Sequence, residues 1–401
     1  MGRAAIIGGV GRAAAFLLLL ALALAGCGDD GDARVEGGRL LVYMSVPRSG
    51  PSAVAGRDEA DGARLALARA GGRVGRDEVR LRLLDSAEPD KGQTTPRQVA
   101  VNARLARRDK RTVAYLGETD PAASAVSLVI LNVAGVLQVS PSDTFAGLTE
   151  PAGAAGEPDR YYPRGRRTFA RILPDDELQA RAAARWMHEL GFRRLLLLDD
   201  DQLYGRSLAN RVGFAATKLG IKVVDERVVD PRPGKVAKLL AGLGSLHPDA
   251  VFLGADAGPE ASAAWAGLAS GLPGAARFGP GALDVPSFTS GAASGRLVAP
   301  GQVHIDPGFA RDFRARYGRT ASLAAAAGQA AMRGALDAIA AVPGSAPTRA
   351  EVARALHGLR VRHSAVGPYS ILPSGDSTLR GTAGIEISDG NARTVRGFPA
   401  P

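Results

Sequence analysis

The sequence predicts an α/β protein of two lobes, each built on a doubly wound parallel sheet. Two observations carry that prediction: short apolar runs alternate with helical periods in two successive series, and 401 residues exceed what one core usually holds. No tandem repeat of solenoid length competes with it. The first series opens on LLVYMSV (40–46), a strand-length run, and Glu59 to Ala70 then carries apolar residues at helical spacing until Gly71-Gly72 stops it. VRLRLLD (79–85) is the next strand. A helix from Thr95 to Arg107, a strand TVAYLG (112–117), a helix from Pro121 to Leu131 and a strand VLQVS (136–140) complete a βαβαβαβ order. Such an order makes the strands parallel and puts helices on both faces, with ligands beyond the carboxyl ends of the strands.

The second series runs helix Glu177 to Leu190, strand 194–200, helix Tyr204 to Leu219, strand 222–228, helix Lys235 to Leu243, strand 249–254, helix Pro259 to Leu268 and strand 276–280. After Leu297-Val298 come helices at Phe309 to Tyr317, Ser322 to Ala341 and Arg349 to Leu359. GIEISDG and ARTVRGF (384–398) read as a closing β-hairpin.

Ahead of the first strand, Arg3 and Arg12 precede an apolar stretch from Ala13 to Leu24, and Leu24-Ala25-Gly26-Cys27 follows. The stretch, about a dozen residues, is short for a bilayer span but suits an export signal. The tetrapeptide resembles a bacterial lipobox. That resemblance implies removal of residues 1–26 and acylation of Cys27, which anchors the chain to the outer side of a membrane. The alternative is an ordinary signal peptide with an incidental cysteine. Cys27 is the only cysteine, so the fold rests on its core without disulfides. Residues 27–38 lack any apolar period and read as a flexible tether. Loss of Arg3 and Arg12 lowers the formal charge from +10 to +8. The arginines are scattered and aromatics are sparse, so no nucleic-acid partner is expected.

SVPRSGP (45–51), GRDEADGARLALARAGG (56–72), YLG (115–117), VSPSDT (139–144), FARILPDDELQA (169–180), DDDQLYGRSLA (199–209), DAVFLGAD (249–256), RFGPGAL (277–283) and VGPYSILPSGD (366–376) occur in an order and spacing similar to the leucine/isoleucine/valine-binding protein family. These are the type I periplasmic substrate-binding proteins of ABC importers, and the resemblance covers nearly all of residues 39–401. It implies the periplasmic-binding-protein type I fold, a clamp joined by a three-strand hinge. Lobe 1 takes 39–173 and 300–375, and lobe 2 takes 174–299 and 376–401. Pro174 and Pro300 fix backbone dihedrals beside two of the crossings.

The family's ligand residues transfer unevenly. Ser142 and Thr144 match the segment that offers hydroxyls to a ligand carboxylate, and capping the next turn is their other reading. Tyr204 matches a tyrosine flanking the ligand, unless it packs on its own strand. The family's serine after the glycine at Gly117 falls on Pro121, with Thr119 and Asp120 as the nearby polar groups. Its first-helix aromatic falls on Ala55. The acid that pairs with the ligand ammonium falls on Gly281, so Asp256, or less directly Asp284, is expected to supply that charge. Tyr161 and Tyr162, in the long segment Leu148 to Arg167, either flap over the cleft or pin the segment to the surface.

Enzymatic chemistry lacks support. Asp199-Asp200-Asp201 invites a hard cation, but consecutive acids at a strand end point in different directions. His188, His247, His304, His357 and His363 show no ligand spacing, and Gly-x-Ser-x-Gly is absent. Gly8-Gly9-x-Gly11 lies in the leader. No metal or cofactor is expected. The reading is a monomeric solute-binding lipoprotein that captures an amino acid, amide or carboxylate-like ligand and delivers it to an ABC permease and ATPase complex. A sensor clamp for a membrane receptor and a non-transport interaction module are the alternatives.

Overall fold

The computed structural model describes residues 34–398 except 36, 37, 121, 122, 231, 233, 302–304 and 345. The leader, Cys27, His304 and Pro121 lie outside the described residues. The chain is an α/β protein with two parallel-sheet lobes. The elements run β1 (Arg39–Val46), α1 (Ala53–Arg69), β2 (Arg73–Val74), β3 (Asp77–Asp85), β4 (Ala87–Glu88), β5 (Gln93–Thr94), α2 (Pro96–Arg108), β6 (Thr112–Leu116), α3 (Ser124–Asn132), β7 (Leu137–Ser140) and β8 (Phe169–Arg171). They continue through α4 (Asp176–Glu189), β9 (Arg194–Asp199), α5 (Leu203–Lys218), β10 (Lys222–Val228), α6 (Lys235–Leu243), β11 (Ala250–Gly254), α7 (Pro259–Gly271), β12 (Ala276–Pro280), α8 (Pro286–Thr289) and β13 (Gly295–Pro300). The end of the chain supplies α9 (Pro307–Tyr317), α10 (Leu323–Ala341), α11 (Arg349–Leu356), β14 (Arg360–Val361), β15 (Tyr369–Ser370), β16 (Thr382–Ser388) and β17 (Asn391–Phe398).

Sheet 1 has the order β2-β3-β1-β6-β7-β8, and sheet 2 the order β10-β9-β11-β12-β13-β16-β17. From β3 to β8 and from β10 to β13 the strands are parallel, each beginning beside the strand that starts its series. The strand order therefore reverses direction between β1 and β6 and again between β9 and β11, which opens a crevice at the carboxyl end of each sheet. Both sheets are buried on both faces, because side chains alternate along each strand. Leu40, Val42, Met44 and Val46 of β1 join α1, α9, α10 and α11 in one core, while Leu41 and Tyr43 face α2. Leu195 and Leu197 of β9 face α4 and α5, and Leu196 and Leu198 face α6 and α7.

Helix starts follow local chemistry. Thr95 caps α2 by accepting from Gln98 N, with Pro96 at the first helical position, and Asp175 caps α4 by accepting from Glu177 N. Several elements depart from the sequence expectation, among them β13, for which no strand was expected. Helix α1 begins at Ala53 rather than Glu59, and β8 is a strand that no apolar run announced. Glycines set how closely α1 meets α10: a Cβ at Gly62 would lie 1.9 Å from Ala325 O, and one at Gly328 would lie 2.1 Å from Glu59 O. That approach sinks Glu59 into the interior, where it is 1% exposed.

After β8 the chain leaves sheet 1 for α4, and after β13 it returns, since Phe309 and Phe313 of α9 lie in the sheet-1 core. A last passage leads from β15 to β16. The passages run beside one another: Ser377 Oγ donates to Ile172 O at 2.6 Å and Ile371 bridges Ser377, while Leu372 N donates to Asp376 O. Arg171, with no exposed surface, pairs with Asp376 at 2.8 Å and donates to Asp143 O, Phe145 O and Thr149 Oγ1. Removing one partner of a buried pair leaves the other uncompensated. Arg171→Met is therefore expected to cost about 3–5 kcal/mol in urea unfolding followed by circular dichroism. A loss below about 1 kcal/mol would show that the pair does not hold the junction.

Candidate functional site

The carboxyl ends of the two sheets face each other across a cavity of about 500 Å³. Residues after β1 (Pro47, Pro51, Ser52) and after β6 (Asp120) form one wall, joined by Gly92, Gln93 and Thr94. Residues after β9 (Asp200, Gln202) and after β11 (Ala255, Asp256, Gly258) form the other. Both walls thus come from strand-order reversal points, the place where this architecture leaves room for a ligand.

The first wall rests on a buried polar network. Asn102 Nδ2 donates to Ser45 Oγ at 3.0 Å, and Ser45 Oγ donates to Glu118 Oε2 at 2.7 Å. Tyr115 OH donates to Glu118 Oε1 at 2.6 Å, and Glu118 N donates to Ser124 Oγ at 3.0 Å. Ser140 Oγ donates to Glu118 O at 2.6 Å and accepts from Asp143 N at 2.8 Å. Gly117, at φ +130°, leads into this turn, and a Cβ there would meet Ser45 O at 2.7 Å. Burial pushes the Glu118 carboxyl up to about 8, opposed by hydrogen bonds from Tyr115 and Ser45. Glu59 is also pushed up to about 8 by burial, opposed by the hydrogen bond from Ser142 and reinforced by the charges of Asp120 and Asp58.

The expected ligand residues separate into two groups. Asp120 and Asp256 line the cavity, one from each lobe. Asp256 keeps contact with water inside the cleft although protein surrounds it, and its carboxyl is raised by that enclosure and then by the charge of Asp120. Thr119, beside Asp120, carries a buried hydroxyl without a partner. The other three are engaged with protein. Ser142 Oγ donates to Glu59 Oε1 at 2.6 Å and lies 3.1 Å from Thr119 O. Thr144 and Tyr204 are each 3% exposed and meet at Gln179 and Asp176. Tyr204 packs among Leu208, Ala209 and the other residues of the α4–α5 core.

Gly281 donates its N–H to Gln179 Oε1 at 3.3 Å, and a Cβ there would lie 2.5 Å from Ala299 Cα, so this backbone leaves no room for an acid. Asp284 is exposed and Ala55 sits in the first turn of α1; neither lines the cavity. Tyr161 and Tyr162 are 6% and 3% exposed and pack with Leu128, Phe145, Leu148 and Phe169, so they pin the long segment and do not form a flap. Sequence reasoning missed Glu59, Glu118 and Glu260, and it set aside Asp200, which lines the cavity. The available signal for Glu59 was its place on the same helical face as Gly62, Ala63 and Ala66.

A family of periplasmic binding proteins matches residues 44–390. The chain belongs to that family. The fold of this periplasmic binding protein is similar to a leucine-binding protein of Thermotoga maritima, at 22% identity and a TM-score of 0.73, over 90% of this chain and 99% of the other. An ABC transporter substrate-binding protein of Desulfitobacterium hafniense in complex with Leu gives 19% and 0.70, over 89% and 100%. A solute-binding protein of an R. palustris ABC transporter in complex with benzoate gives 18% and 0.70, over 90% and 97%. No curated protein shows significant similarity to this chain.

Glu59, Glu118 and Asp176 hold protons in the folded protein up to about pH 8, whereas the unfolded chain releases them near their ordinary values of 4.5, 4.5 and 3.8. The folded state binds more protons across that window, so their contribution to stability is full below it and lost as pH rises through about 8. Glu118→Gln keeps the shape without the titration. Melting temperatures between about pH 5 and 9 should therefore fall less steeply with pH in Glu118→Gln than in the wild type, and equal slopes would refute the assignment.

Proposed function

We propose that this periplasmic binding protein captures a small polar solute between its lobes and delivers it to an ABC permease and ATPase complex. The observation that carries the reading is the cavity between the strand-order reversal points of the two sheets, with one wall from each lobe. The division at 39–173 with 300–375, and 174–299 with 376–401, makes the three passages the hinge. A ligand touching both walls favours the closed form by its differential affinity, and release reverses that without chemistry. Asp120 and Asp256 are the contacts offered by the two walls, with Thr119 beside them. Ser142, Thr144 and Tyr204 shape the wall behind.

The lipobox-like Leu24 to Cys27 supports anchoring by lipid on Cys27 outside the cell membrane. No helix among the described residues is long and apolar enough to cross a membrane. Cys27→Ser is expected to lose fatty-acid labelling and membrane association together. Labelling that persists in Cys27→Ser would remove the lipid from the account.

Capture itself is tested on the purified chain by a thermal-shift panel of amino acids, amides, amines and carboxylates, followed by small-angle scattering with any compound that stabilises. Stabilisation with a smaller radius of gyration is expected. A saturating ligand that leaves the radius unchanged would end the closing-clamp reading.

A further inference from the structure

The cavity is one-sided in charge. Asp120, Asp200, Asp256 and Glu260 line it, and among the described lining residues there is no Lys, Arg or His. Two of the groups expected to meet a carboxylate are already committed, and Thr119 alone keeps an unpartnered hydroxyl beside Asp120. Ser142 gives its hydroxyl to Glu59, and Thr144 is engaged with Asp176 and Tyr204. Glu59 Oε2, on a side chain 1% exposed, has no hydrogen-bond partner and feels the charge of Asp120. Burial holds Glu59 in its protonated form, so the charge of the cleft rests on the acids that line it.

Asp120 and Asp256 belong to opposite lobes, and each acts on the other with the same sign when both are ionised. Closing the lobes brings these like charges together. A cation between them is favoured only in the closed form, which is the differential contact that closure requires. The rest of the lining is aliphatic, with Val229, Leu253 and Ala261 among it, and no aromatic side chain is present among the described lining residues to cage a quaternary ammonium. Nor do three or more His, Cys, Asp or Glu among the described residues group to hold a metal ion. A methylene chain ending in N–H donors fits both the aliphatic wall and the separated acids.

We propose that the cleft takes an organic cation without a carboxylate, an aliphatic primary amine or guanidine, clasped between Asp120 of lobe 1 and Asp256 of lobe 2. This rests on the solute-binding reading and narrows it. The test is calorimetric titration of the full chain in detergent with a set of amines and guanidines headed by putrescine and agmatine, against L-leucine and benzoate. At least one amine or guanidine is expected to bind one-to-one, more tightly than leucine or benzoate, and more weakly as sodium chloride rises. Asp120→Asn and Asp256→Asn should each lower its affinity on the order of tenfold. Circular dichroism checks that the variants fold, and where one does not, the wild-type panel decides alone.

Tighter binding of leucine or benzoate would overturn the cation proposal and leave solute capture standing. Amine affinity unchanged in both folded variants would also overturn it, as would stabilisation by calcium or magnesium chloride alone that both variants abolish. If no compound of any class binds, solute capture falls together with it.

Discussion

A charge with no exposed surface is tolerated only where acceptors surround it, and Arg171 meets that demand at the junction of the two lobes. Its guanidinium draws the carbonyls of Asp143 and Phe145 and the hydroxyl of Thr149 over the end of β8, and pairs with Asp376 on the last passage between lobes. The segment after β7 is thereby tied to the last passage between the lobes. Burial works against the charged form, and the charges of Asp376, Asp175 and Asp143 favour it. The same cation opposes the rise in the carboxyls of Asp175 and Asp176. Asp120 and Asp256 lie beyond this compensation, and the charges that act on them most are negative. Placing the buried cation at the hinge leaves the cleft acidic.

The sheets were legible because their strands are buried on both faces and so read as unbroken apolar runs, as LLVYMSV and RLLLLD do. Helix α1 was legible only in its second half. Its second turn contains Arg57, Asp58 and Glu59, which read as a solvated face, yet Asp58 and Glu59 are buried through the close approach of α10 at Gly62 and Gly328. Strand β8 escaped because three residues, one of them Arg171, carry no period; only pairing with β7 makes them a strand. The site was legible in part for the same reason. Asp120 and Asp256 stand at strand ends, a position sequence alone identifies. That Ser142 spends its hydroxyl on Glu59 depends on a contact between residues 83 apart in sequence, which no local pattern encodes.

Overall charge points the opposite way from the site. The chain carries a formal +10, yet the cavity presents carboxylates. The two are compatible because basic side chains such as Arg181, Arg185 and Arg333 lie on outer helix faces, and none lines the cavity among the described residues. Exposed charges more than about 8 Å apart are largely screened at physiological salt, whereas charges facing each other in an enclosed cleft are not. The nearby acids, and not the net charge, set what the cavity attracts.

The Leu148 to Arg167 segment adds a second link between lobes, away from the hinge. Tyr161 and Tyr162 pack with Leu128, Phe145 and Phe169, and Arg164 N donates to Asn132 Oδ1 at 3.0 Å, rooting the segment in lobe 1. Its start then meets α5: Ser207 Oγ donates to Ala152 O at 3.3 Å, and Arg211 donates to Pro151 O at 3.0 Å and pairs with Glu150 at 2.9 Å. Glu150 keeps 40% of its side-chain surface, so this ion pair is worth at most about 1 kcal/mol after solvent screening. Arg211 also pairs with Glu177 of its own lobe at 2.7 Å, and it retains that partner when Glu150 moves away. The link is therefore weak, and Arg211 can exchange it without losing an acidic partner.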